Sequence, residues 1–140
     1  MRPRLWSLSD RLVARVLRSF CYSAPLPALG QAEEMVKLVV TDRAGRSVEV
    51  DGHTDISVME NIRDLGDSVD AICGGLCSCA TCHVFIDPSW IEKLPPRGEE
   101  EAILVGDSAN YDHERSRLSC QISLTEDLDG LTLTVAPEEF

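Results

Sequence analysis

The chain has 140 residues, 44% of them hydrophobic but only 5% aromatic, which suits one domain with a modest core. Thirteen Lys and Arg stand against 24 Asp and Glu, a net charge of −11. That excludes the cationic face a nucleic-acid partner requires and favours a basic protein partner met in fast, salt-sensitive encounters. No run approaches the roughly 18 apolar residues of a membrane span, so no integral membrane segment is expected.

Residues 1–34 read as an amino-terminal extension, and residues 35–140 as the folded domain. Residues 1–32 hold five arginines and one acid, whereas residues 33–140 hold eight basic and 23 acidic residues. Leu12, Val13, Val16, Leu17 and Phe20 fall at helical spacing, with Arg11, Arg15 and Arg18 on another face. An amphipathic, Arg-rich, acid-poor start is leader-like and resembles an organelle transit peptide, which would place the protein in the mitochondrial matrix. The other reading is a mis-assigned start, with Met35 as the first residue of a bacterial cytoplasmic protein. A secretory signal fits poorly, because Arg15 and Arg18 interrupt any apolar stretch. Ser23–Gly30 has the Pro and Gly of a linker, and Cys21, which precedes it, is left out of the chemistry.

The domain opens with Val36, Leu38 and Val40 alternating with Lys37, Val39 and Thr41, which predicts a strand. A turn at Arg43–Arg46 and a second alternation over Ser47–Val50 complete a hairpin. Ser57 and Glu60 form a capping-box pattern; Val58, Ile62 and Leu65 share the following helical face, and Gly66 stops the helix. Asp64, Asp67 and Asp70 lead into a Cys-rich stretch. His83–Ile86 is a short apolar run that predicts a buried strand. Gly98–Val105 predicts a second helix, with Glu99, Glu100 and Glu101 in the first turn, where the helix dipole favours acids. Gly130 supplies a turn, and Leu131–Val135 alternates as a closing strand. Two strands followed by a helix on one face predict an α+β fold.

Four cysteines crowd into the segment Cys73–Cys82, and Cys120 stands far downstream. An acidic body without a secretory signal argues for a reducing compartment, where structural disulfides are rare. Structural zinc usually draws on two short Cys pairs. Here Cys79 and Cys82 make one pair and Cys120 lacks a close partner, which makes zinc awkward. A 2Fe-2S cluster needs two thiolates on each iron. Five residues separate Cys73 from Cys79, two separate Cys79 from Cys82, and 37 separate Cys82 from Cys120. That asymmetry of three plus one suits a loop around one side of a cluster and a fourth ligand from afar. Gly74 and Gly75 permit positive φ and the close approach of backbone N–H groups to an anionic cluster. Ser78, Ala80 and Thr81 are small enough to leave room for the inorganic core.

The segments CGGLCSCATCHVFI (Cys73–Ile86) and SRLSCQI (Ser116–Ile122) closely resemble the adrenodoxin and putidaredoxin group of 2Fe-2S ferredoxins. Plant-type ferredoxins have four residues between the first two ligands, where this chain has five. The resemblance covers roughly residues 35–140. It implies a β-grasp fold, a mixed sheet with a helix packed across it and the cluster in an outer loop. It implies one 2Fe-2S cluster held by Cys73, Cys79, Cys82 and Cys120, with Cys77 an extra, partly buried thiol. A swap of Cys77 for Cys79 stays open on spacing alone. The resemblance further implies that His83 hydrogen-bonds nearby backbone and steadies the cluster loop beside Gly74 and Gly75. His53 and His113 read as surface residues.

The function so implied is one-electron transfer by a monomer without enzymatic activity of its own. The electrons would come from an NAD(P)H-dependent flavin ferredoxin reductase and pass to a cytochrome P-450 type monooxygenase. The CATCHV segment resembles the members serving such monooxygenases. A ferredoxin of the iron-sulfur assembly machinery, which shares RLSCQ, is the alternative, and a zinc-stabilised non-redox binding module is the third reading. Glu99, Glu100 and Glu101 match approximately the family's partner-binding acidic patch; for any one of them a solvated helix start is the plain alternative. Ile72 stands where putidaredoxin-like members have an acid, and Phe140 offers a carboxy-terminal aromatic.

Overall fold

A computed structural model describes residues 35–66 and 68–138. The expectations for residues 1–34, Asp67 and Phe140 lie outside the described residues. Strand β1 (Met35–Thr41) pairs antiparallel with β2 (Ser47–His53), in register from Met35 opposite His53 to Thr41 opposite Ser47. Asp42 closes the turn between them by accepting the Arg46 N–H at 2.9 Å. Strand β5 (Leu131–Val135) lies parallel to β1; β3 (His83–Ile86) runs antiparallel to β5, and β4 (Ser116–Leu118) antiparallel to β3. The five strands form one mixed sheet in the order β2-β1-β5-β3-β4. Three short helices, α1 (Val58–Ile62), α2 (Pro88–Ile91) and α3 (Glu99–Gly106), complete the described fold with two 3-10 turns at Ser119–Gln121 and Glu126–Leu128. This is the expected β-grasp.

The alternating residues of the strands build the core. Val36, Leu38 and Val40 of β1, Leu131, Leu133 and Val135 of β5, and Val84 and Ile86 of β3 are all buried. Val58, Met59 and Ile62 of α1 pack into the same cluster with Ile122 and Leu124. Each such side chain stabilises the fold by about 1.5–3 kcal/mol. The capping box forms as expected: the Glu60 N–H donates to Ser57 Oγ at 3.2 Å, and the Ser57 N–H donates to Glu60 Oε2 at 2.9 Å. The Val58 N–H then donates to the Ile122 carbonyl at 2.8 Å, which ties the start of α1 to the segment just past Cys120.

The structure departs from the sequence expectations at element ends. Helix α1 stops at Ile62 rather than at Gly66, while Leu65 still packs against the core beyond it. Strand β2 continues past Val50 through Asp51, Gly52 and His53, because pairing with β1 outweighs the poor strand propensity of Asp and Gly. Gly52 is needed there for space. A Cβ at that position would stand 2.6 Å from Leu124 Cδ2 and 3.3 Å from Leu38 Cδ1, both in packed core side chains. Gly52→Ala is therefore expected to destabilise the protein by about 1–3 kcal/mol through overpacking. Chemical denaturation of the two proteins checks this.

Candidate metal centre

The loop from Ala71 to Cys82 is bent by five residues in the left-handed region: Ala71 (φ 46°), Gly74 (64°), Gly75 (98°), Cys77 (52°) and Ala80 (53°). The two glycines adopt this freely. The other three cost about 1–2 kcal/mol each, so the surrounding contacts must hold them. Exposure alternates along the loop. Ala71, Cys73, Gly75, Cys77 and Cys79 turn inward, while Ile72, Gly74, Leu76 and Ser78 are exposed. A Cβ on Gly75 would lie 3.5 Å from Met59 Cε and 3.9 Å from Cys120 Cβ, so the glycine brings backbone against the Cys120 segment.

Four of the sulfurs meet in two pairs. The Cys73 N–H donates to Cys79 Sγ at 3.3 Å, and the two side chains contact each other. The Cys82 and Cys120 side chains lie close enough for each to shift the other's titration. Burial works to raise the Cys73 pKa, but the Ser78 N–H, the Cys79 thiol, the Gly75 N–H and the Ser78 hydroxyl together hold it down at about 6. The Cys82 thiol, opposed by burial and helped by the Gln121 amide and the Cys77 N–H, lowers Cys120 to about 6. Both shifts favour the thiolate, the form that ligates metal. Cys82, the partner of Cys120, moves the other way, raised by its interaction with Cys120 and by burial. Cys77 is raised by burial and then by the negative charges of Cys120, Glu100, Glu101 and Cys73, which keeps it a neutral thiol.

Hydroxyl groups fasten the loop to the sheet. Thr81 Oγ1 accepts the Ile72 N–H at 2.9 Å and lies 2.9 Å from Cys79 Sγ, closing the base of the loop. The Cys82 carbonyl accepts from both the Ser119 N–H, at 3.0 Å, and the Ser119 hydroxyl, at 2.8 Å. That double contact sets Cys82 beside Cys120. Composition had marked Thr81 only as small and had given Ser119 no role. The buried His83 ring meets the hydroxyls of Ser116 (Nε2, 2.8 Å) and Ser108 (Nδ1, 3.2 Å). Its backbone N–H donates to the Ala80 carbonyl at 3.1 Å. His83 thereby joins the end of the loop to β4 and to the turn after α3. His53 and His113 are exposed, as expected.

No protein-family model matches the chain. It is 41% identical over 99 residues, covering 70% of its own length and 90% of the relative's, to ferredoxin CarAc of a Sphingomonas species. The chain belongs to the 2Fe-2S ferredoxins of the adrenodoxin and putidaredoxin type. A solved ferredoxin from Rhodopseudomonas palustris HaA2 superposes with a TM-score of 0.69 at 39% identity, over 74% of this chain and 99% of that one. The putidaredoxin of a covalent putidaredoxin reductase–putidaredoxin complex superposes with a TM-score of 0.67 at 34% identity, over 73% and 99%. This ferredoxin is an electron carrier rather than an enzyme, and it takes one 2Fe-2S cluster.

The residues present fit that group. Thiols stand two and two, and backbone N–H groups from Gly75, Cys77 and Ser78 bear on the sulfurs.

One expectation for the ferredoxin's acidic patch is corrected. Glu99 and Glu100 are exposed at the start of α3, but Glu101 is buried at 2% exposure. Its carboxylate accepts from Arg117 Nε at 2.8 Å and Nη2 at 3.2 Å, and from the Leu118 N–H at 2.9 Å. Arg117 spends a further N–H on the Pro95 carbonyl at 2.8 Å. Glu101 is thus a structural tie between α3 and β4, the strand that delivers Cys120. Glu101→Ala would strand the buried guanidinium and is expected to cost about 3–5 kcal/mol. Glu99→Ala and Glu100→Ala should each stay within about 0.5 kcal/mol, as surface changes do. Thermal or chemical denaturation of the three variants separates these roles.

Proposed function

We propose that this ferredoxin shuttles single electrons from an NAD(P)H-dependent flavin reductase to a cytochrome P-450 type monooxygenase. The observation that carries the reading is the likeness, over 73% of the chain, to a putidaredoxin joined to its reductase. The CATCHV segment supports the choice of acceptor. When bound, the cluster accepts and returns one electron at a time. The chain's own residues hold it at the surface of the sheet and keep it near the solvent boundary. In this reading Cys73, Cys79, Cys82 and Cys120 would hold it. Gly74 and Gly75 let the backbone N–H groups face the sulfurs, and His83 anchors the end of the loop. Partners dock by charge. Glu99 and Glu100 remain of the acidic patch, with Asp70 on the approach to the loop, where Arg43 Nη2 holds it at 2.8 Å. Complexes formed in this way are brief and salt-sensitive, which suits a carrier that must leave each partner. Iron-sulfur assembly remains the second reading.

Two measurements test the proposal. Cys120→Ser should abolish a stable cluster, whereas Cys77→Ser should leave the visible spectrum nearly intact; loss of the spectrum in the second variant would overturn the ligand set. Glu99→Lys with Glu100→Lys should raise the apparent KM of a flavin ferredoxin reductase for the carrier, most at low ionic strength, with the spectrum unchanged. Reductase kinetics indifferent to the double reversal at every salt concentration would contradict docking through α3.

A further inference from the structure

The loop that carries the sulfurs presents large aliphatic side chains to water. Ile72 is 74% exposed and Leu76 is 79% exposed, the two most exposed large hydrophobic residues among those described. Both belong to the outward series of the alternating loop, where their companions are Gly74 and Ser78. Small neighbours on the outward side leave the two aliphatics as its projecting groups. Both sit next to the chemistry. Ile72 directly precedes Cys73, and Leu76 directly precedes Cys77, whose N–H faces the Cys120 sulfur. A left-handed backbone at Ala71 and Cys77 brackets the tip.

Folding gains nothing from these side chains, since neither is buried. Their surroundings are charged. Asp70 lies two residues before Ile72, half-exposed and oriented by Arg43. Glu100 is near enough to bear on Cys77, next to Leu76. One helical turn on from Glu100, Ile103 is 65% exposed. The surface over the sulfurs is therefore apolar at its centre and acidic at its rim, the anatomy of a protein-binding patch.

We propose that Ile72 and Leu76 form the apolar centre of the docking surface for a redox partner protein, one apolar over its own redox centre and rimmed by Arg or Lys. This rests on the electron-carrier reading above and adds the contact that makes a productive complex. The carboxylates steer encounter over a distance set by ionic strength. The two aliphatics then expel water between the two centres and hold them close, a contribution that salt does not screen.

The test uses the cluster-loaded protein, with putidaredoxin reductase and NADH as the probe. Cluster reduction by the flavoprotein is followed in a stopped-flow instrument across ionic strength. Parallel reduction by dithionite, the visible spectrum and the midpoint potential serve as controls. Ile72→Ser with Leu76→Ser should slow the bimolecular step about fivefold or more, from the lost apolar contact. The slope against salt, the dithionite rate, the spectrum and the potential should stay unchanged. Glu100→Lys should do the reverse and alter mainly the salt slope. Unchanged reduction of the double serine variant by a flavoprotein that reduces the parent would overturn the apolar contact and leave the carrier reading intact. A parent chain that takes electrons from dithionite but not from the flavoprotein would overturn that reading and this inference together. An equal slowing with dithionite, or a shifted potential, would overturn it in favour of a structural role in the loop. Sedimentation provides the last arm. A parent dimer that the serine variants dissolve would assign the patch to a second copy of the chain and overturn the partner contact.

Discussion

The contact between the Cys73–Cys82 loop and the Cys120 segment is the constraint on which the rest of the molecule depends. Sulfur anions gathered at one place repel one another, and the loop that gathers them is bent against the preferences of Ala71, Cys77 and Ala80. Left alone, such a segment would extend. It is held by hydrogen bonds: the Gly75, Ser78 and Cys77 N–H groups toward sulfur, the Ile72 N–H to Thr81 Oγ1 across the base, and Ser119 twice to the Cys82 carbonyl. Each contact is modest by itself, about 1 kcal/mol for an ordinary hydrogen bond. Together they hold the Cys73–Cys82 loop against the Cys120 segment.

The fold serves this contact. The β3–β4 pair brings His83 opposite Leu118, so the end of the loop and the approach to Cys120 share one ladder. The buried Glu101–Arg117 pair then fixes α3 on β4, and the same α3 exposes Glu99 and Glu100 to partners. One short helix thus links the docking charges to the strand behind the fourth sulfur. The helix α1 adds Met59, whose side chain lies behind Gly75.

Much of this is legible in the sequence. Alternation in β1 and β5, the capping box at Ser57 and the acid-rich start of α3 each obey a local rule, and all formed at the expected places. The cysteine spacing pointed to the cofactor, because thiols have few other uses in that density. What escaped was non-local. Strand β4 is three residues long, wholly buried and contains Arg117, so no alternation marks it. Glu101 reads like Glu99 and Glu100 until Arg117 is brought against it from 16 residues away. Ser119 gives no sign in sequence that its hydroxyl will reach the Cys82 carbonyl, 37 residues back. Helix α2 was readable in principle: Asp87 caps it, with Asp87 Oδ1 accepting the Ser89 N–H at 3.0 Å, and Pro88 opens it.

The central claim is that four thiols, paired Cys73 with Cys79 and Cys82 with Cys120, grip a single two-iron cluster and leave Cys77 outside it. Iron and acid-labile sulfide analysis, joined to alkylation mapping of the native protein, tests it most directly. The account predicts equal iron and sulfide, two of each per chain as a 2Fe-2S centre requires, and four cysteines shielded from alkylation until the cluster is removed. A single bound metal without sulfide, or Cys77 shielded while one of those four reacts freely, would contradict it.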